Sequence, residues 1–134
     1  MNLNIFTYGS LMFPDIWARV VRGDYRSAPA AASGYARFAV RDEIYPGLVK
    51  RLESRIEGVV YFDIDATDLA ALDAFEGADY QREPIALTLD DGREIVGETY
   101  LYLPVARLLA TGWAPENFQK QRFVDTYCRD KLGE

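Results

Sequence analysis

Apolar positions recur along this chain with two different periods, and the points where the period changes divide it into elements. Leu3–Tyr8 reads as a short strand, stopped by Gly9-Ser10. From Pro14 to Arg22 the pattern turns helical, with Ile16, Trp17, Val20 and Val21 on one side and Pro14 in the first turn. Residues 25–41 form an Ala-rich extended stretch, with a bulge or turn at Gly34 and half-buried strand through Tyr35, Phe38 and Val40. Tyr45-Pro46-Gly47 predicts a turn into Leu48-Val49, and Arg55–Ile64 is the strongest central strand. Tyr80–Leu89 and Arg93–Leu103 flank Asp90-Asp91-Gly92, a hairpin signal. Pro115–Leu132 predicts an amphipathic helix that turns Phe123, Val124, Tyr127, Cys128 and Leu132 to one face, with Phe118 a candidate to join them. Strands outnumber helices and hairpins dominate the connections. The fold class is therefore α+β, with a curled, mostly antiparallel sheet that could remove its edges by closing into a barrel.

One helix breaks its own pattern. The run from Asp65 to Glu76 has a good N-cap in Asp65 and a stop in Gly77. Leu69, Leu72 and Phe75 form its apolar stripe, and Glu76 falls roughly 40° from the stripe's centre at about 100° per residue. A carboxylate aimed at a core is costly unless it is paired, hydrogen-bonded or used. The C-terminal end of a helix also disfavours negative charge, which raises a pKa toward the range useful for proton transfer. The alternative is a frayed last turn whose Glu bends into water.

Composition narrows the chemistry. The 134 residues predict a single domain over 1–134, and the 49% hydrophobic and 27% charged content is that of an ordinary folded protein. A net charge of −6 argues against nucleic-acid binding. Arg37, Arg41, Lys50, Arg51 and Arg55 are interleaved with Asp42, Glu43 and Glu53, which reads as a solvated outer sheet face. The chain has no histidine, so imidazole-based mechanisms and His-ligated metal sites are excluded. Its single cysteine, Cys128, reads as a packed core thiol. No apolar run has membrane-spanning length and no signal peptide opens the chain, so the expectation is a cytoplasmic protein without membrane attachment.

Two stretches carry candidate chemistry. Tyr8-Gly9-Ser10-Leu11 lies between a strand and a helix, where unpaired backbone N–H groups point outward and can hold an anion such as a substrate carboxylate. The same composition can simply end a strand. In Glu76-Gly77-Ala78-Asp79-Tyr80-Gln81-Arg82, strand alternation points Tyr80 and Arg82 the same way. Tyr80 could offer its phenol to a pocket and Arg82 could pair with a nearby carboxylate; a rim Tyr and a surface Arg are the plain alternative.

In combination and in order, Tyr8-Gly9-Ser10-Leu11, then Leu72-Asp73-Ala74-Phe75-Glu76-Gly77, then Tyr80 and Arg82, resemble the gamma-glutamylcyclotransferase-like superfamily. The likeness is greatest to its avirulence-induced-gene-like and gamma-glutamylamine cyclotransferase group and runs from about Leu3 to Tyr102. Tyr45-Pro46-Gly47-Leu48-Val49 and Thr99-Tyr100-Leu101-Tyr102 fit the family's central and late aromatic segments.

The resemblance implies a curled mixed β-barrel with flanking helices and a cavity at its mouth. It implies Glu76 as the acid/base and Tyr8-Gly9-Ser10-Leu11 as the carboxylate loop, with Tyr45, Tyr80, Arg82 and Tyr102 shaping the substrate site and Tyr100 an alternative to Tyr102. The chemistry implied is release of 5-oxoproline from a small-molecule gamma-glutamyl amine or peptide, with no cofactor and no metal. Two other readings stay open: a non-catalytic pocket for a small carboxylate or amine, and an interaction protein working through the C-terminal helix. The identity of the departing amine and the oligomeric state are open as well.

Overall fold

The computed structural model describes residues 3–133, in which six strands make one sheet. They are β1 (Leu3–Thr7), β2 (Ser27–Val40), β3 (Pro46–Ile64), β4 (Tyr80–Leu89), β5 (Glu94–Tyr102) and β6 (Leu108–Gly112). Their order is β3-β1-β5-β4-β2-β6, and β3 also pairs with β2. That extra pairing closes five strands into a mixed barrel and leaves β6 as an added strand beside the far end of β2. Only β1 and β5 run parallel; the other pairings are antiparallel.

Strand alternation sorts the core into two layers. Phe6 and Tyr8 face the barrel interior with Ala30, Leu48, Val60, Ile85 and Leu87. Ile5 faces outward into a second cluster, where α1 (Pro14–Val20) and α2 (Ala66–Glu76) cover the barrel with Ile16, Trp17, Leu69, Leu72 and Phe75. The Asp65 side chain caps α2 by accepting from the Asp68 N–H at 2.8 Å, and Gly77 ends it at φ 81°, a left-handed conformation that favours glycine.

The hairpin across residues 90–92 forms as expected, and Gly34, at φ 86°, sits where the β2–β3 register shifts. Three expectations need correction. The turn expected at Tyr45-Pro46-Gly47 lies earlier in the chain, because Pro46 already pairs with Ala39 and β3 runs unbroken to Ile64. Its middle stretch has no apolar alternation because it projects into solvent, with Leu52 89% exposed. The C-terminal helix does not begin at Pro115. A 3-10 turn (Pro115–Asn117) is followed by extended backbone at Phe118, whose ring stacks on Phe13 at 5.0 Å. Helix then starts with α3 (Lys120–Phe123) and passes through a π-helical turn (Val124–Cys128) into α4 (Arg129–Leu132). Strand β6 was not expected, since its side chains are mostly exposed and leave no periodic trace. Cys128 is fully buried, as its helical spacing suggested.

Candidate active site

A small cavity opens at the mouth of the barrel, between the end of β1 and the end of α2. Gly9, Ser10 and Leu11 form one wall and Glu76 with Phe75 another, while Tyr8, Tyr45, Tyr80 and Tyr100 complete the barrel side. Phe123 and Tyr127 reach in from the C-terminal segment. Two segments more than sixty residues apart in sequence thus meet around one small space.

The first wall offers donors. Backbone bonds from Met12 to the Gly9 carbonyl (3.0 Å) and from Phe13 to the Ser10 carbonyl (3.2 Å) wind the chain into a 3-10 turn as it leaves β1. Among the described residues, the N–H groups of Gly9, Ser10 and Leu11 donate to no other protein group. Gly9 is required by close approach: a Cβ there would lie 2.9 Å from the ring of Pro46. Unpaired N–H groups lining a cavity can hold an anion such as a carboxylate.

Glu76 faces that wall with different chemistry. It is half-buried, and burial pushes its carboxyl from the ordinary value near 4.5 up to about 8. Lys131 opposes the rise and the Asp73 carboxylate one turn earlier adds to it. Burial is the largest cause of the rise. The Tyr127 hydroxyl donates to the carbonyls of Phe75 (2.6 Å) and Glu76 (3.2 Å), satisfying groups that the end of a helix leaves unpaired.

The phenols around the cavity are held in one protonation state and one orientation. Tyr8 donates to the Tyr100 carbonyl at 2.6 Å, Tyr80 to the Pro46 carbonyl at 2.8 Å, and Tyr100 to Asp73 Oδ1 at 2.7 Å. Burial raises the pKa of each, and the nearby Glu76 carboxyl adds to the rise at all three. With their protons engaged, what these oxygens still offer a ligand is lone pairs, which suit an amine or ammonium.

Of the residues singled out from sequence, Tyr8, Gly9, Ser10, Leu11, Tyr45, Glu76 and Tyr80 line the cavity together. Arg82 and Tyr102 do not. Arg82 pairs with Asp73 (3.0 Å) and with Glu98, on the outer side of β4 and β5. Tyr102 packs edge-on against Tyr80 at 5.2 Å, and Tyr100 is the late aromatic residue at the cavity. Phe123 and Tyr127 were read only as a helix stripe; their i, i+4 spacing was the available signal that both would face one target. Among the described residues, no group of three or more His, Cys, Asp or Glu gathers as metal ligands, and no helix is long and apolar enough to cross a membrane.

Comparison with known proteins agrees with this architecture. The family model described as gamma-glutamyl cyclotransferase, AIG2-like, matches residues 5–119. AIG2-like protein A of Arabidopsis thaliana is 27% identical over 129 residues, spanning 92% of this chain and 78% of that protein. AIG2-like protein D of the same plant is 29% identical over 100 residues, spanning 75% of this chain and 66% of its own length, just under two thirds. A solution structure from Arabidopsis thaliana superimposes with a TM-score of 0.74 at 25% identity, covering 97% of this chain and 82% of that one. A structure titled gamma-glutamyl cyclotransferase shares the fold, with a TM-score of 0.66 at 17% identity over 76% of this chain and 67% of that one.

Proposed function

The chain belongs to the gamma-glutamyl cyclotransferase, AIG2-like family, and from that premise we propose that it releases 5-oxoproline from a gamma-glutamyl amine or peptide. The observation that carries the reading is the pairing across one cavity of unpaired N–H groups at residues 9–11 with the half-buried carboxyl of Glu76.

The substrate's α-carboxylate docks on the N–H groups of Gly9, Ser10 and Leu11. Its chain folds so that the α-nitrogen approaches its own γ-carbonyl carbon. Well-oriented intramolecular attack is worth on the order of 7–11 kcal/mol, so positioning is the larger part of catalysis. Glu76, as carboxylate, takes a proton from the α-nitrogen as the new C–N bond closes the five-membered lactam. It returns that proton to the departing nitrogen as the old C–N bond breaks. Atoms balance with no water consumed, leaving 5-oxoproline and a free amine. Proton transfer of this kind supplies about 10²–10⁴-fold. The acceptor lone pairs of Tyr8, Tyr80 and Tyr100 suit the nitrogen end of the glutamyl group. Tyr45 lies on the same wall, whereas Arg82 and Tyr102 act on the site through Asp73 and Tyr80.

Incubation with a panel of gamma-glutamyl amines and peptides, followed by mass spectrometry, tests the proposal. The expected result is 5-oxoproline from wild type and none above background from Glu76→Gln, with the variant still folded. Binding of the same compounds without turnover in wild type would instead mark a non-catalytic pocket.

A further inference from the structure

Arg37 lies on β2, opposite Leu48 of β3, in the run of cations that reads from sequence as a solvated outer face. The structure corrects that expectation for this one residue. Arg37 is half-buried, and its Nη1 donates to the Tyr8 carbonyl at 2.7 Å and the Glu57 carbonyl at 3.2 Å, with Met12 Sδ at 3.8 Å. The indole of Trp113 covers the guanidinium at 5.5 Å. Among the described residues, no carboxylate lies within ion-pair distance of it, while Glu57 directs its carboxylate to Arg55. A cation so placed directs its field onto the backbone it touches.

The carbonyl it touches belongs to the peptide bond whose N–H is that of Gly9. A hydrogen bond accepted by a peptide oxygen draws electron density from the nitrogen and makes its N–H a stronger donor, and chains of such bonds reinforce one another in a low dielectric. We propose that Arg37 is a positioning residue that polarises the Tyr8–Gly9 peptide, so that the loop at residues 9–11 prefers a ligand bearing a full negative charge. The cation stays outside the cavity, whose lining does not include it, and acts through one peptide plane. This rests on the reading of that loop as the carboxylate site, and it deepens that reading by assigning the preference for carboxylate over a neutral isostere to one residue.

The probes are 5-oxoproline, which carries the α-carboxylate, and 5-oxoprolinamide, which has the same ring and a neutral amide. Calorimetry or NMR titration gives both affinities for wild type, Arg37→Met and Arg37→Lys. The expected result is about a 10-fold loss of 5-oxoproline affinity in Arg37→Met, less than about a 2-fold change for the amide, and recovery of most of the loss in Arg37→Lys. If Arg37→Met does not fold, Arg37→Gln takes its place as a shorter neutral donor. Equal losses for both ligands, no loss for either, or no rescue by lysine would reduce Arg37 to a brace between strands. Wild type that binds neither ligand sinks the carboxylate loop itself, and this inference with it.

Discussion

Helix α2 buries a carboxylate near each end, and the two behave in opposite ways. Asp68, in the first turn, is 2% exposed. Burial pushes its pKa up, but the Tyr25 hydroxyl at 2.6 Å and the N–H groups of Arg22 (2.9 Å) and Gly23 (3.0 Å) more than offset it, so the net shift is downward. Glu76, in the last turn, rises to about 8, because burial is the largest influence and, among the described residues, no donor of that kind answers it. Burial alone therefore does not decide what a carboxylate becomes. Donors aimed at the charged form make a permanent anion that fastens the loop before Tyr25 to α2; their absence leaves a group able to exchange a proton near neutral pH.

The largest effect that would test this contrast is on turnover. Glu76→Gln should cost on the order of 10³-fold or more in kcat/KM, measured as 5-oxoproline formation, because the amide keeps the shape and loses the proton. In wild type, kcat/KM should climb as pH rises through about 8, the carboxylate being the form that accepts a proton.

Stability should show the same contrast with opposite slopes. The Glu76 pKa is higher folded than unfolded, so its contribution is fully present below about 4.5 and is lost as pH rises through about 8. Urea midpoints measured against pH should show Glu76→Gln gaining on wild type across that window, by a few kcal/mol (an upper bound of about 5) at its alkaline end. Asp68 has the reverse sign: its contribution is present above the ordinary value of 3.8 and is lost as pH falls through its lowered folded value. Asp68→Asn sets an amide against donors arranged for an anion and should destabilise by about 2–3 kcal/mol at neutral pH, with activity per folded molecule retained. An acid limb of wild-type stability unchanged in Asp68→Asn would contradict the assignment.

The smallest effect concerns Lys131, whose charge lowers the Glu76 pKa. Lys131→Met should shift the alkaline rise in kcat/KM upward by less than about one pH unit, without loss of fold. A pH profile that stays in place would mean the ammonium is screened from the carboxyl.

The asymmetry between the two acids also explains what could be read in advance. Glu76 was visible because it interrupts an apolar stripe beside a glycine stop, and the loop at residues 8–11 because glycine and serine separate a strand from a helix. Asp68 was not, since an acidic residue in a first turn looks like ordinary dipole compensation and its donors come from residues 22–25. Arg37 escaped for a related reason: the pattern of β2 does not reveal that the chain leaving β1 crosses beneath one cation and not its neighbours. Barrel closure, β6 and the removal of Arg82 and Tyr102 from the cavity depend on long-range pairing, which local periodicity does not encode.

The π-helical turn at Val124–Cys128 sets the phase of everything after it. Such a turn holds one residue more than the α turn it replaces. Rewound as regular α-helix with every residue kept, the segment would swing its tail by about 100°. Phe123, upstream, would keep its place against Phe75, but the ammonium at position 131 would leave its post beside Gly77. One surplus residue, nearly fifty positions from Glu76 in the chain, thus works as a rotational setting for the charge that reaches it.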